Sequence, residues 1–243
     1  MQLVKQVNTN IYYDENNKVK MKGYCCMREN DLIIIENFLE NKEEKLDVKE
    51  EPFDKLMFFY KSALDQLTVQ MNIIKEEFQI MYNYDLIDHI DARIKEPKSI
   101  IRKMEKKKYE KTYLNLIEKI NDIAGVRIVC TLKDDIFFIK DLIKKMPDLH
   151  ILKEKDYVTN PKESGYSSYH MVVEVPVNLT QKTVYVKCEI QIRTLAMDFW
   201  ANVEHKVKYK SEQNVNKKTS KELIACAKMI NKFDDKMITL KNI

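Results

Sequence analysis

The chain has 243 residues, enough for one medium-sized domain with accessory helices or for two small domains. It carries 42 basic and 38 acidic side chains, a formal net charge of +4, which argues against a protein that coats nucleic acid. No apolar stretch approaches the roughly 18 residues that a membrane-spanning helix needs. We therefore expect one principal domain with additions.

Charge and cysteine are unevenly distributed along the chain. Nine Lys or Arg and three Glu lie between Arg93 and Lys111, whereas residues 36–54 hold eight acids and three Lys. A cationic groove beside an acidic flank fits this pattern, although two solvated helix faces are its commoner origin. Cys130 and Cys188 fall in apolar runs, so we expect their thiols to be reduced. The N-terminus has no apolar signal core, and we therefore expect a cytoplasmic protein.

The first third of the chain is predicted to be helical. Residues 1–52 are polar and weakly periodic, and we expect an N-terminal extension whose order the sequence leaves open. Apolar residues recur at helical spacing over 53–82, which predicts a long amphipathic helix. A shorter helix is predicted over 85–94, and Pro97, a favourable first-turn residue, predicts the start of a third.

The pattern then changes to that of strands, with an amphipathic helix between the first two. The predicted strands cover 124–131, 150–158, 168–175 and 184–193. Helical spacing returns after Thr194 through Lys208, and a last helix is predicted from about Lys218 to Leu240. This order predicts an α/β (α+β) fold.

The last predicted strand has two chemically different faces. From Val184 to Arg193 apolar and polar residues alternate, so Glu189, Gln191 and Arg193 share a face. A half-exposed strand explains this pattern simply. An acid, an amide and a guanidinium side by side are also suited to a phosphorylated ligand.

Two of the three glycines stand beside polar residues. Gly125 follows Asp122 into the first strand, and Gly165 lies in a polar loop. Such sparing use of glycine indicates a need for backbone freedom or close approach, although a bulge and an ordinary polar turn are the commoner explanations. The loop offers side chains that can bind phosphate, stack on a base or form hydrogen bonds: Lys162, Tyr166 and His170.

Basic residues lie before and on the helix that begins at Pro97. Ser99 and Lys103 are one turn apart on it, and Arg93 and Lys95 precede its N-terminus, where anions are favoured. This arrangement is typical of a triphosphate cradle. The alternative is a lysine-rich surface helix buried by its apolar residues, Ile100, Ile101 and Met104.

Four groups of residues occur in order: Arg93-Ile-Lys95 with Ser99, Asn121-Asp122-Ile-Ala-Gly125-Val-Arg127, Lys162-Glu-Ser-Gly165-Tyr166 with Ser168-Tyr-His170, and Glu189-Ile-Gln191-Ile-Arg193-Thr194. Together they resemble the synthetase domain of the RelA/SpoT family, and the short chain is similar to the stand-alone small alarmone synthetases. The similarity covers roughly residues 53–210 and leaves 211–243 as a C-terminal helix. It implies a mixed β-sheet flanked by helices, a nucleotidyltransferase-like core and, commonly, a homotetramer.

The resemblance also implies an activity, which is transfer of the terminal two phosphates of ATP to the 3′-hydroxyl of a guanine nucleotide, with magnesium. Asp122 and Glu189 match the family's Mg²⁺-holding acids, and Glu189 is also the candidate base. Arg93 and Arg127 match the residues that enclose adenine. The matches to ATP-phosphate contacts are Lys95, Ser99 and Lys103. Tyr166 matches the residue that stacks on guanine, and the other acceptor contacts are Lys162, His170 and Gln191.

Absent motifs restrict the activity further. The sequence contains neither a Walker loop nor Gly-x-Gly-x-x-Gly, so an ordinary P-loop kinase is not expected. None of the four histidines is followed by Asp, which predicts synthesis without the hydrolysis of bifunctional members. Product-activated members carry Phe-x-x-Gly before the first arginine, lysines on the first long helix and Asn where Asp198 stands. His89, Ala92 and residues 68–72 lack these groups, and Asp198 adds an acid. Both changes should disfavour an anionic effector, so we expect weak or absent product activation.

Two other functions fit parts of the sequence. The lysine-rich segment 98–111, with many tyrosines, suits an RNA-binding regulator whose affinity would fall steeply with salt. A catalytically inactive scaffold of the same fold is disfavoured, because every position matched to metal or ATP holds the right residue type. The preferred acceptor among GMP, GDP and GTP is left open.

Overall fold

The computed structural model describes residues 11–13, 19–21, 45–180, 183–210 and 217–241. Most of the predicted extension, 1–52, therefore lies outside the described residues. Within it, strands β1 (Ile11–Tyr13) and β2 (Val19–Met21) pair antiparallel. In the part of the chain that the structure covers, no helix has the length and apolar character needed to cross a membrane.

The predicted long helix is confirmed as α1 (Glu51–Tyr82). Pro52 lies in its first turn, where a missing N–H costs no hydrogen bond. Asn83, with a left-handed φ of 49°, ends the helix. One stripe of α1 is buried against the sheet and includes Leu56, Ala63, Leu67 and Met71.

The helix predicted over 85–94 is wrong. Residues His89–Ile94 form strand β3, which pairs antiparallel with β4 (Ala124–Cys130). Ile90 and Ile94 satisfy helical spacing, but they are also an even number of residues apart and share a strand face. The segment forms a strand and not a helix because its backbone can hydrogen-bond to the edge of β4. Local periodicity carries no information about that partner strand.

The remaining predicted elements are confirmed with small changes of boundary. They are α2 (Pro97–Lys107), α4 (Lys133–Lys144), β5 (His150–Asp156), β6 (Tyr169–Asn178), β7 (Thr183–Thr194), α5 (Leu195–Lys210) and α6 (Lys217–Lys241). Sequence reasoning missed α3 (Tyr113–Lys119), whose N-cap Thr112 accepts a hydrogen bond from the Asn115 amide at 3.2 Å. Two turns are too few for a periodic pattern to be recognised.

Five strands form one mixed sheet in the order β3-β4-β7-β6-β5. Only β4 and β7 run parallel within this sheet, which places Gly125 opposite Glu189 and Arg127 opposite Gln191. A single apolar core joins the buried stripe of α1 to α4 and to the inward residues of the sheet, among them Val126, Ile128, Ile190 and Ile192. The other face of β3, β4 and β7 is polar and brings together motifs that are far apart in the chain.

Helix α6 packs against α5 and α4. The buried Asp234 accepts a hydrogen bond from Thr194 Oγ1 at 2.8 Å, and Lys133 Nζ lies 2.8 Å from Asp235. The helix is thus tied to the end of β7 and to the start of α4. The domain boundaries that the sequence predicts after residues 52 and 210 stay predictions.

Candidate active site

Two clefts meet over the polar face of the sheet and share Arg93, Arg127 and Gln191. The first is lined by Asp91, Arg93, Asp122, Gly125, Val126, Arg127, Glu189 and Gln191. The second extends toward α5 and is lined by Arg93, Arg127, Tyr166, Gln191, Arg193, Ala201, Asn202, Glu204 and His205. Six of the eleven predicted site residues therefore line a cleft. Four more, Lys95, Lys103, Lys162 and His170, contact one of these six directly.

Asp122 lies between two lysines. Its Oδ2 is 3.1 Å from Lys95 Nζ and 2.8 Å from Lys103 Nζ. Burial raises the pKa of Asp122, but the hydrogen bond and charge of Lys103, together with those of Lys95, outweigh burial and hold the pKa below its ordinary value. Oδ1 is buried, and no described protein group bonds to it. Asp122 is therefore ionised at neutral pH and keeps one oxygen for a cation.

Glu189 projects from the middle of β7 into the same cleft. Its Oε1 is 3.2 Å from His170 Nδ1, and its Oε2 accepts a hydrogen bond from Gln191 Nε2 at 2.7 Å. Burial raises the pKa of Glu189, but the hydrogen bond and charge of His170 and the bond from Gln191 bring the pKa below its ordinary value. The charge of Asp122 opposes that lowering, so the two carboxylates belong to one electrostatic site.

Glu189 is one of five side chains that form a closed ring of hydrogen bonds. Arg193 Nη2 donates to Tyr166 Oη at 2.6 Å and to Gln191 Oε1 at 2.8 Å. Tyr166 Oη lies 2.8 Å from His170 Nε2, and His170 in turn contacts Glu189. In either protonation state Nδ1–H of His170 donates to Glu189. The Tyr166 hydroxyl donates to Nε2 of a neutral imidazole and accepts from Nε2–H of a charged one. The ring links the predicted base to the predicted guanine-stacking residue.

The loop before β6 is shaped by Gly165. Its φ of +89° belongs to the left-handed region, and a Cβ there would lie 2.5 Å from the Cβ of Ala227 on α6. The turn brings Lys162 Nζ within 4.5 Å of the Tyr157 ring centroid and 4.6 Å of the Tyr166 centroid. Both predicted needs for glycine, backbone freedom and close approach, are confirmed at this position.

Gly125 has neither constraint. Its φ is not left-handed, and a Cβ would meet only the Glu189 carbonyl oxygen at an ordinary 3.8 Å. It stands opposite Arg93 on one neighbouring strand and Glu189 on the other, on the cleft face. The glycine therefore keeps the floor of the cleft open between these two side chains.

The structure adds detail on Ser99 and Asp198, and the role of Ser99 as a phosphate contact stays a prediction. Ser99 lies in the first turn of α2, one turn before Lys103, and is not among the described side chains that line the two clefts. The charge of Asp198 is compensated by Arg127 and Arg193, whose Nη1 atoms lie 3.3 and 3.2 Å from its Oδ1. Asp198 is thus not an uncompensated acid that repels an anionic effector.

The sequence did not predict the part that three residues play in the site. Arg193 was assigned only to the polar wall, but it is buried and closes the ring. Asp91 lines the cleft two residues before Arg93, and an alternating strand pattern would have revealed it had 85–94 not been assigned to a helix. Tyr157 follows β5 directly, and no signal in the sequence pairs it with Lys162.

Comparison with known proteins identifies the family. The model described as "Region found in RelA / SpoT proteins" matches residues 92–214, just over half of the chain. This chain belongs to the RelA/SpoT family. GTP pyrophosphokinase YwaC of Bacillus subtilis (strain 168) is 43% identical over 185 residues, which cover 76% of this chain and 88% of YwaC.

Solved structures agree with this RelA/SpoT assignment and with the predicted fold. The small alarmone synthetase 1 from Bacillus subtilis bound to its product pppGpp has a TM-score of 0.74 and 32% identity, covering 79% of this chain and 98% of that one. The same Bacillus subtilis protein bound to AMPCPP has a TM-score of 0.67 and 30% identity, with coverage of 79% and 97%. The chain is a GTP pyrophosphokinase of the small alarmone synthetase type.

Proposed function

We propose that this chain transfers the terminal two phosphates of ATP to the 3′-hydroxyl of GDP or GTP, releasing AMP and forming the alarmone (p)ppGpp of the stringent response. The observation that carries the proposal is the convergence of two ionised carboxylates, Asp122 and Glu189, in one cleft with Arg93 and Arg127. The relatives supply the nucleotide classes, since one was solved with AMPCPP and with pppGpp.

The donor side of the proposal is the cleft of β3 and β4. Arg93 and Arg127 are flat guanidinium groups at its rim, suited to stacking on the two faces of adenine. Lys95 and Lys103 converge on Asp122 and can exchange that carboxylate for ATP phosphates. Ser99 is the weakest of the proposed phosphate contacts, because it has no described contact with Asp122, whereas Lys95 and Lys103 do.

The acceptor side is the second cleft, with Tyr166 for stacking on guanine and Lys162 for the phosphates. Glu189 orients the 3′-hydroxyl and accepts its proton as the 3′-oxygen bonds to the β-phosphorus. The bond from that phosphorus to the α,β-bridging oxygen breaks, and AMP leaves with the electron pair. A lowered pKa makes Glu189 a weak base but keeps it charged and ready to align the hydroxyl.

The residues present fit Mg²⁺. This ion prefers oxygen ligands and is usually held by one or two carboxylates together with substrate phosphates. Asp122 and Glu189 meet that description, and the buried Oδ1 of Asp122 has no described protein partner. No group of three or more metal-binding side chains occurs in the described chain, so substrate oxygens would complete the coordination. When bound, Mg²⁺ neutralises charge on the transferred phosphates.

The test is incubation with Mg²⁺, GDP and ATP labelled on the γ-phosphate, followed by separation of the nucleotides. We expect label in guanosine tetraphosphate with equimolar AMP, and loss of this product in Glu189→Gln. Glu105→Gln, the same change on the outer part of α2, should keep activity. Release of free phosphate alone, or no turnover with any guanine nucleotide, would refute the proposal and favour RNA binding.

We further propose a homo-oligomer, a tetramer by resemblance to the family, that covers an exposed apolar stripe on α1. The stripe consists of Phe58, Val69, Ile73 and Ile80, which are 55%, 58%, 58% and 74% exposed. All four side chains lie on one side of the helix. A contiguous exposed apolar patch of this kind is typical of a protein–protein interface. Light scattering should show smaller particles for Ile73→Lys but not for Gln79→Lys, which lies off the stripe.

A further inference from the structure

One buried carboxylate joins the two clefts. Asp198 lies in the first turn of α5 and is only 8% exposed. Its Oδ1 is 3.3 Å from Nη1 of Arg127 and accepts a hydrogen bond from Nη1 of Arg193 at 3.2 Å. Its Oδ2 accepts from Asn202 Nδ2 at 2.7 Å. A single oxygen is therefore shared by two guanidinium groups that serve different parts of the site.

The two arginines have different duties. Arg127 lines both clefts and lies beside the proposed adenine site. Of the two clefts, Arg193 lines only the second, where it donates to Tyr166 and Gln191 and its Cζ lies 5.1 Å from the Tyr166 ring centroid. Any change in how Asp198 divides its charge between the arginines therefore alters the support of the guanine-stacking residue.

The electrostatics make this sharing consequential. Both guanidinium groups contact the Asp198 carboxylate in a region where the Arg193 side chain is 6% exposed and the Arg127 side chain 24% exposed. Charges that are shielded from water interact more strongly than exposed ones. If one arginine turns toward a ligand, the other gains the whole carboxylate and is held more firmly.

We propose that Asp198 is a positioning residue that couples the donor and acceptor sites, an inference that rests on the proposed function. When Arg127 turns onto adenine, Asp198 holds Arg193 alone, and Arg193 fixes Tyr166 and the ring around Glu189 for the guanine nucleotide. Binding of the donor thereby strengthens binding of the acceptor. Linkage requires the reverse effect to have the same size.

The experiment is calorimetric titration of AMPCPP with and without saturating GDP, and of GDP with and without saturating AMPCPP. AMPCPP lacks the bridging oxygen whose bond breaks, so no turnover disturbs the titration. In the wild-type chain we expect each nucleotide to tighten the other by about 5-fold or more, the low end of ordinary coupling. In Asp198→Asn, which keeps the shape but loses the charge, we expect less than about 2-fold by the same measure.

The matched control is Asp91→Asn. Asp91 Oδ2 lies 3.6 Å from the same Arg127 Nη1, but Asp91 has no described contact with Arg193, so removing its charge should preserve the coupling. Thermal melts of both variants check folding. Equal coupling in the wild type and Asp198→Asn, or equal loss in Asp91→Asn, would overturn the inference. Failure of the wild-type chain to bind AMPCPP or GDP would instead refute the proposed function.

Discussion

Gly165→Ala tests how helix α6 shapes the acceptor loop. The new methyl group would lie 2.5 Å from the Cβ of Ala227, 3.5 Å from Trp200 Cζ2 and 3.6 Å from the Ile224 Cα. Only the first distance is far inside the contact distance of about 3.5–4.0 Å between carbon atoms. The clash is therefore specific to one pair of small side chains.

Two effects add in this variant. A non-glycine residue held at φ +89° costs about 1–3 kcal/mol, and inserting a methyl group into a closely packed contact costs about 1–3 kcal/mol more. We expect a loss in the free energy of unfolding of about 2–4 kcal/mol, since the loop can move to relieve part of the strain. That movement displaces Lys162 and Tyr166, so the KM for GDP should rise more than the KM for ATP.

Chemical denaturation of four chains measures the clash separately: wild type, Gly165→Ala, Ala227→Gly and the double variant. Ala227→Gly alone should lose about 1 kcal/mol, the usual cost of glycine inside a helix. In the double variant the methyl group has room, so part of the Gly165→Ala loss should be recovered and the pair should show coupling of about 1–3 kcal/mol. The strain of the left-handed backbone remains.

Gly125→Ala is the control for the backbone. Its Cβ would meet nothing closer than 3.8 Å, and its φ is not left-handed, so folding stability should change by less than about 1 kcal/mol. Strict additivity of Gly165→Ala and Ala227→Gly would refute the packing argument. An unchanged KM for GDP in a destabilised Gly165→Ala chain would refute the link from α6 to the acceptor loop.

Three further predictions concern buried charge. The folded pKa of Asp122 is lowered, so the stabilisation that its charge gives is present above the unfolded pKa of 3.8 and is lost as pH falls through the folded pKa. Chemical denaturation should show Asp122→Asn to be less stable than the wild type at pH 7. The gap in stability between the two chains should shrink in acid. The pKa of Asp234 is raised, chiefly by burial, so its ionised form opposes folding. Asp234→Asn, which keeps the hydrogen bond from Thr194, should raise Tm at pH 7. This gain in Tm should disappear below pH 3.8. Lys187 Nζ donates to the carbonyls of Ile117 and Glu118 at 3.2 Å each, so Lys187→Met should lose about 1–3 kcal/mol in a denaturant titration and an unchanged midpoint would contradict this.

Local pattern was sufficient where an element carries its own signal. Helix α1 has several turns of apolar spacing, and β7 alternates over most of its length, so both were predicted correctly. β3 was assigned wrongly because its six residues satisfy two periods, and its partner β4 is distant in the chain. α3 was missed because it is too short for any period to appear.

The candidate site divides in the same way. The family resemblance predicted Asp122 and Glu189 as the metal-holding acids and Tyr166 as part of the acceptor side, and the structure brings the three residues into one region. The hydrogen bonds from Arg193 to Tyr166 and Gln191 could not be predicted, since they depend on how a loop folds back over the end of β7. The close contact of Gly165 with Ala227 depends likewise on where α6 packs.

The sequence by itself determined the family, the class of fold and the chemical types of the site residues, because motif order, alternation and helical spacing are properties of neighbouring positions. Tertiary structure alone decided that β4 runs parallel to β7, that Glu189 and four other side chains form a closed ring, and that Asp198 is shared by two arginines. Each of these depends on the relative placement of distant segments. Burial and shared charge, which set the pKa values of Asp122 and Glu189, exist only once those segments have come together.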